Sequence, residues 1–206
     1  KELGVQTYRF SVSWSRVLPK GKGVVNKTGI NFYKSLVDEL LRSGIEPWVC
    51  LYHYDLPQAL QDEGGWANRN IIRYFADYAE LMGRELGDKV RQWVILNEPK
   101  FCALFAPGTK NPELYLKVSH NLQLAQGKAV QALRDVDRNF QIGTIIDLTP
   151  MHPISDAEKD RKALYAFEEH APGTPASRKS SRKSSNRQKN DVQFRMKGSA
   201  AEANPA

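Results

Sequence analysis

Through about residue 167, apolar side chains recur in two alternating signatures. The run Val5-Gln-Thr-Tyr-Arg-Phe-Ser-Val-Ser-Trp14 is rich in β-branched and aromatic residues and predicts a strand. From Gly29 to Ser43 the pattern changes. Ile30, Tyr33, Leu36, Val37, Leu40 and Leu41 share one 3.6-residue stripe, and Gly44 follows at a helix-ending position, which predicts a helix. The pair then repeats. Pro47–Tyr52 is a continuous apolar run, and a helix is expected from about Asn70 with its stripe on Ile72, Phe75, Ala79, Met82 and Leu86. Val90–Leu96 and a helix through Val118, Leu122, Ala125, Ala129 and Leu133 make the third pair; Gln141–Leu148 and a helix from Ser155 to Phe167 make the fourth.

Short strands without polar alternation, separated by amphipathic helices, belong to a parallel sheet with covered faces. Two architectures satisfy this, a doubly wound open sheet and an eight-stranded barrel. A doubly wound nucleotide fold calls for a glycine-rich phosphate loop after its first strand. Pro19-Lys-Gly-Lys-Gly23 fits neither the G-x-G-x-x-G nor the P-loop pattern, and reads as a surface loop.

The pattern stops at Ser177, where a polar, basic stretch without apolar residues begins. Residues 178–206 hold eight Lys/Arg and two Asp/Glu, a net of +6. Of the chain's 30 and 23, that leaves 22 and 21 for residues 1–177, a net of +1. The basic character therefore belongs to the tail. We expect one α/β body over 1–177 and a disordered or out-of-frame tail over 178–206. Phe194 is the only aromatic among the tail's charges, so the base-stacking interleaving of a nucleic-acid binder is missing.

Cys50 and Cys102 lie in apolar contexts without Cys-x-x-Cys spacing, and read as buried free thiols. The four histidines, His53, His120, His152 and His170, lack metal-site spacing, so no metal is expected. No apolar run reaches the roughly 18 residues of a membrane span, and no targeting segment opens the chain. The default compartment is then the cytoplasm, although the absence of an initiator Met leaves room for an upstream signal.

Polar residues gather just past the carboxyl ends of the predicted strands: His53, Tyr54 and Asp55 after the second, Asn97 and Glu98 after the third. That edge is where parallel α/β proteins bind ligands. A carboxyl group there, flanked by an amide and fixed by Pro99, suits general acid/base work; the alternative is that Asn97 and Glu98 cap the next helix or bond the loop. Trp48 and Trp93 lie inside strands and are expected in the core; Trp66 lies on a loop with either role open. Arg9, inside an apolar strand, is expected to be buried and to require an anion.

At these residues the chain resembles the family 1 glycoside hydrolases of β-glucosidase type. The matching stretches are Tyr8-Arg-Phe-Ser-Val-Ser-Trp-Ser-Arg16, Leu51-Tyr-His-Tyr-Asp-Leu-Pro57, Gly64-Gly-Trp66 and Leu96-Asn-Glu-Pro99, in the family's order and at similar spacing. His120-Asn-Leu and Ile142-Gly-Thr extend the likeness, which covers residues 1 to about 167. Four motifs in register make it specific. The resemblance implies a partial (β/α)8 barrel, about strands two to five, and retaining hydrolysis of β-glycosides without a cofactor. By the same resemblance Glu98 is the general acid/base, Asn97 binds the sugar 2-hydroxyl, His53 binds another sugar hydroxyl and Arg9 pairs with the nucleophile.

The nucleophile itself, a Glu in the family's Thr/Ser-Glu-Asn-Gly motif, has no counterpart in the 206 residues. The chain also starts at what would be strand two. Tyr54 stands where the family usually has Trp, Asp147 where it usually has Asn, and several residues are deleted between Phe105 and Ala106. The change of character near residue 168 reads as a frame change or truncated gene model. These features imply a catalytically incomplete chain whose open sheet edges favour association or aggregation. The alternatives are a non-catalytic sugar-binding remnant and, third, nucleic-acid binding through Arg178–Lys197.

Overall fold

The computed structural model describes residues 4–108, 110–147 and 152–163. The chain divides into two compact units, Lys1–Thr149 and Pro150–Ala206. Among the described residues the first holds four strands, β1 (Thr7–Ser11), β2 (Glu46–Tyr52), β3 (Gln92–Asn97) and β4 (Gln141–Ile145). Between them run helices α1 (Trp14–Val17), α2 (Lys27–Arg42), α3 (Gln58–Asp62), α4 (Ile71–Leu86), α5 (Pro99–Leu104) and α6 (Pro112–Val136), with a 3-10 turn at Gly65–Ala67. In the second unit a short helical stretch spans 158–163. The rest of the helix expected to Phe167, the last residue of the expected fourth strand, Leu148, and the boundary expected at 177 lie outside the described residues.

All three strand pairings are parallel, and the sheet order is β1-β2-β3-β4. This order decides between the two architectures. A doubly wound sheet reverses its strand order to place helices on both faces, whereas unbroken sequential order with right-handed crossovers keeps them all on one face, as in a barrel. The fold is a partial (β/α)8 barrel. Among the described residues, β1 pairs only with β2 and β4 only with β3.

The helical face of the sheet is the core. Phe10, Val49, Leu51, Trp93 and Ile95 point outward from the strands and meet Ile30, Tyr33 and Val37 of α2, Phe75, Tyr78, Ala79 and Met82 of α4, and Val118, Leu122 and Ala125 of α6, all buried. The expected stripes thus supply most of the buried faces, with corrections: Ile72 and Leu36 sit at the rim, partly buried, and Leu41, in the last turn of α2, is exposed. An aromatic cluster closes the top. Trp14 stacks on Tyr78 at 5.1 Å, and Trp66 meets Tyr52 at 5.2 Å and Phe75 at 5.6 Å edge-on. Such pairs contribute about 0.5–1.5 kcal/mol each beyond area burial. Trp66 is therefore a core residue. Its indole donates to the Tyr52 hydroxyl at 3.0 Å, and its carbonyl accepts from buried Asn121 at 2.9 Å.

Three expectations need correction. The first strand ends at Ser11 rather than Trp14, because polar side chains from distant elements draw the chain out of the sheet: Tyr33 Oη accepts the Ser13 N–H at 2.7 Å and Asp55 accepts that of Trp14 at 3.2 Å. Trp48 is only half-buried; with Val49 and Leu51 on the helical face, alternation turns it to the concave face, where its indole donates to Glu46. Arg9 is exposed rather than buried, since it too lies on that concave face. Trp93 is in the core as expected.

Candidate active site

The strand ends carry the predicted residues to one edge of the sheet. β3 delivers Asn97, which is 3% exposed. Glu98 follows with φ 48°, and Pro99 opens α5 at its first position. A residue before proline is disfavoured in the right-handed helical region, so the helix starts after Glu98 instead of absorbing it. The Glu98 backbone is held on both sides: its N–H donates to Ile145 at 2.9 Å, extending the sheet, while its carbonyl accepts from Phe101 and Cys102 at 2.9 and 3.1 Å, starting the helix. Glu98 occupies the cap position but makes no side-chain capping bond. The helix-cap alternative does not describe its carboxylate.

The carboxylate turns to its neighbours instead. Glu98 Oε2 accepts from the Tyr54 hydroxyl at 2.5 Å and from Asn97 Nδ2 at 3.2 Å. Asn97 Nδ2 also reaches the Tyr54 oxygen at 3.3 Å, closing a triangle. Its Oδ1 accepts from Arg9 Nη1 at 2.8 Å, which orients the amide. Arg9 thus meets a neutral oxygen here, and it takes part in no ion pair among the described residues.

Tyr54 and Glu98 are the two non-glycine residues with positive φ among those described, at 70° and 48°. Such conformations cost about 1–3 kcal/mol each and persist where surrounding contacts over-determine them. Burial, then the bond to Glu98, pushes the Tyr54 phenol up to about 12, so it remains a donor at neutral pH.

His53, at the end of β2, is half-buried, with Nδ1 3.1 Å from Ser11 Oγ and its ring 5.0 Å from that of Tyr54. Asp55 anchors the same turn by accepting the Trp14 and His53 N–H groups at 3.2 and 3.4 Å. Beneath the site, Cys102 Sγ donates to the Asn97 carbonyl at 3.1 Å and Thr144 to that of Leu96 at 2.8 Å. Arg9, Asn97 and Glu98 are therefore one hydrogen-bonded chain, and His53 adjoins it through Tyr54. Sequence reading placed Tyr54 among the polar residues after the second strand and at a departure from the family pattern; no local signal shows that its hydroxyl meets a carboxylate 44 positions away.

The family model for glycosyl hydrolase family 1 matches residues 1–176. The chain belongs to that family. Beta-glucosidase A of Acetivibrio thermocellus is 45% identical over 170 residues, covering 79% of this chain and 38% of the relative. The aryl-phospho-beta-D-glucosidase of Bacillus subtilis is 43% identical over 175 residues, covering 81% and 36%. Among solved structures, the beta-glucosidase of Thermotoga maritima in complex with deoxynojirimycin superposes with a TM-score of 0.78 at 40% identity, covering 82% of this chain and 40% of that one. This family 1 chain therefore spans about two-fifths of the length of these relatives. Among the described residues, no helix is long and apolar enough to cross a membrane.

Proposed function

We propose that this chain supplies the acid/base side of a site for retaining β-glycoside hydrolysis, with β-glucosides as substrates. Glu98 is the general acid/base, Asn97 holds the sugar 2-hydroxyl, His53 takes another hydroxyl of the same sugar, and Arg9 pairs with the nucleophilic carboxylate. The observation that carries this reading is the seating of Glu98 at the carboxyl end of β3, beside buried Asn97. The relatives support it, being named as beta-glucosidases and solved with deoxynojirimycin and glucoimidazole.

Retaining chemistry uses two carboxyl groups about 5–5.5 Å apart. The nucleophile attacks the anomeric carbon as the glycosidic C–O bond breaks, and the leaving oxygen takes the acid's proton. Water then attacks the glycosyl-enzyme ester and gives its proton back to the same carboxylate. Glu98 supplies the second group. The 206 residues contain no Thr/Ser-Glu-Asn-Gly motif for the first, so the chain alone completes no turnover.

The test is chromophore release from an aryl β-glucoside by the purified chain, against Glu98→Gln and a full-length relative. The expected result is no release above the Glu98→Gln background. Release abolished by Glu98→Gln would overturn the inactivity and show that another carboxylate completes the site. The second reading, sugar binding without acid/base chemistry, is favoured by the pre-oriented Asn97 amide. Binding of deoxynojirimycin that is insensitive to Glu98→Gln would select it.

A further inference from the structure

Tyr54 stands at a departure from the family pattern, yet it makes the shortest contact to the Glu98 side chain, 2.5 Å from hydroxyl to Oε2. The other contact to that side chain, from Asn97 Nδ2, falls on the same oxygen at 3.2 Å. Among the described residues no hydrogen bond reaches Oε1. The two oxygens are thus unequal: one is bound by two donors, the other by none among the described residues.

We propose that Tyr54 is a positioning residue for Glu98, holding Oε2 together with the Asn97 amide so that Oε1 is the oxygen that exchanges the proton with the glycosidic oxygen and with water. This rests on Glu98 being the acid/base. Three observations carry it. The contacts are one-sided. The geometry is built rather than incidental, since Tyr54 and Glu98 both adopt left-handed backbone conformations that bring the two side chains together. The Tyr54 ring is also braced, edge-on, by His53 at 5.0 Å and Phe105 at 6.0 Å, which leaves its hydroxyl little choice of direction.

The chemistry follows from hydrogen-bond capacity. A carboxylate oxygen that already accepts two bonds is a poor place for a proton, because a protonated oxygen needs one of those sites for its own O–H. A phenol donating to a carboxylate makes a charge-assisted bond, short and about twice as strong as a neutral one. The proton is thereby directed to Oε1, where a bound glycosidic oxygen has to lie. Loss of one positioning contact of this kind costs on the order of a hundred-fold in rate when the reacting groups drift by about 1 Å.

The experiment uses the chain itself and does not depend on turnover. Tyrosine labelled with carbon-13 at Cζ is followed by NMR against pH, with Tyr54→Phe to assign the resonance. The titratable groups facing the phenol are Glu98, Cys102 and His53, of which Glu98 bonds it directly. The expected result is a Tyr54 signal that stays in the phenol form past pH 11, while exposed tyrosines ionise, and that titrates earlier in Glu98→Gln. A low-field hydroxyl proton, present in the native chain and lost in Tyr54→Phe, is expected beside it. A Tyr54 signal that titrates with the exposed tyrosines, or that is unmoved by Glu98→Gln, overturns the proposal. Failure of the acid/base reading appears elsewhere, as deoxynojirimycin binding that ignores Glu98→Gln.

Discussion

Arg9 Nη1 donates to Asn97 Oδ1 at 2.8 Å, tying the first strand of the sheet to the end of the third. The bond points the Asn97 amide nitrogen toward Glu98 and Tyr54. Arg9→Met should therefore loosen the Asn97 side chain without unfolding the protein, because Arg9 is exposed. We expect faster exchange of the Asn97 side-chain amide protons by nitrogen-15 NMR, with a melting temperature within about 2 °C of native, as for surface substitutions. Unchanged amide exchange would show that Arg9 does not orient Asn97.

Two glycines should respond oppositely to alanine. A Cβ on Gly29, in α2, would lie 2.1 Å from the Arg16 carbonyl oxygen, so Gly29→Ala has to displace α1 from α2. A Cβ on Gly127, in α6, meets nothing within 4 Å. We expect Gly29→Ala to destabilise by about 1–3 kcal/mol through overpacking. Gly127→Ala should stabilise by about 0.5–1 kcal/mol by reducing unfolded-chain freedom. Urea denaturation of the two variants measures both.

Asp55 sets a pH dependence of its own. Burial raises its carboxyl above the ordinary aspartate range, although hydrogen bonds from Ser13, His53 and Trp14 oppose the shift. The folded state then holds this proton more tightly than the unfolded chain. Its contribution to stability falls as pH rises from the unfolded value through the folded one, and is recovered on acidification. Asp137 acts in the reverse sense: bonds from Asn139 and Arg91 lower its carboxyl, so its contribution is lost as pH falls through the folded value. Asp55→Asn should remove the first slope and Asp137→Asn the second, in denaturation midpoints measured between pH 3 and 7.

Both cysteines should be inert while the fold stands. Burial pushes the Cys102 thiol up to about 12 and raises that of Cys50, and each donates its proton to a backbone carbonyl. Since the thiolate is the reactive form, neither should react with a disulfide reagent at pH 8 in the folded chain, and both should react in denaturant. Rapid labelling of one thiol under native conditions would show that its surroundings open locally.

The sequence by itself determined the alternation of strands and helices, the helical stripes that became the core, and the edge at which His53, Asn97 and Glu98 would lie. These are readable because each depends on local periodicity and on one rule, that ligands meet the carboxyl ends of parallel strands. Motifs in register were enough for the family. Tertiary structure alone decided the rest. Strand order separated a barrel from a doubly wound sheet, and that order is a matter of pairing between segments about 40 residues apart. The end of β1, the exposure of Arg9 and the half-burial of Trp48 depend on which face the helices cover and on side chains arriving from elsewhere. The Tyr54–Glu98 contact joins residues 44 apart through two left-handed turns, so it exists only once β2 and β3 have been placed side by side.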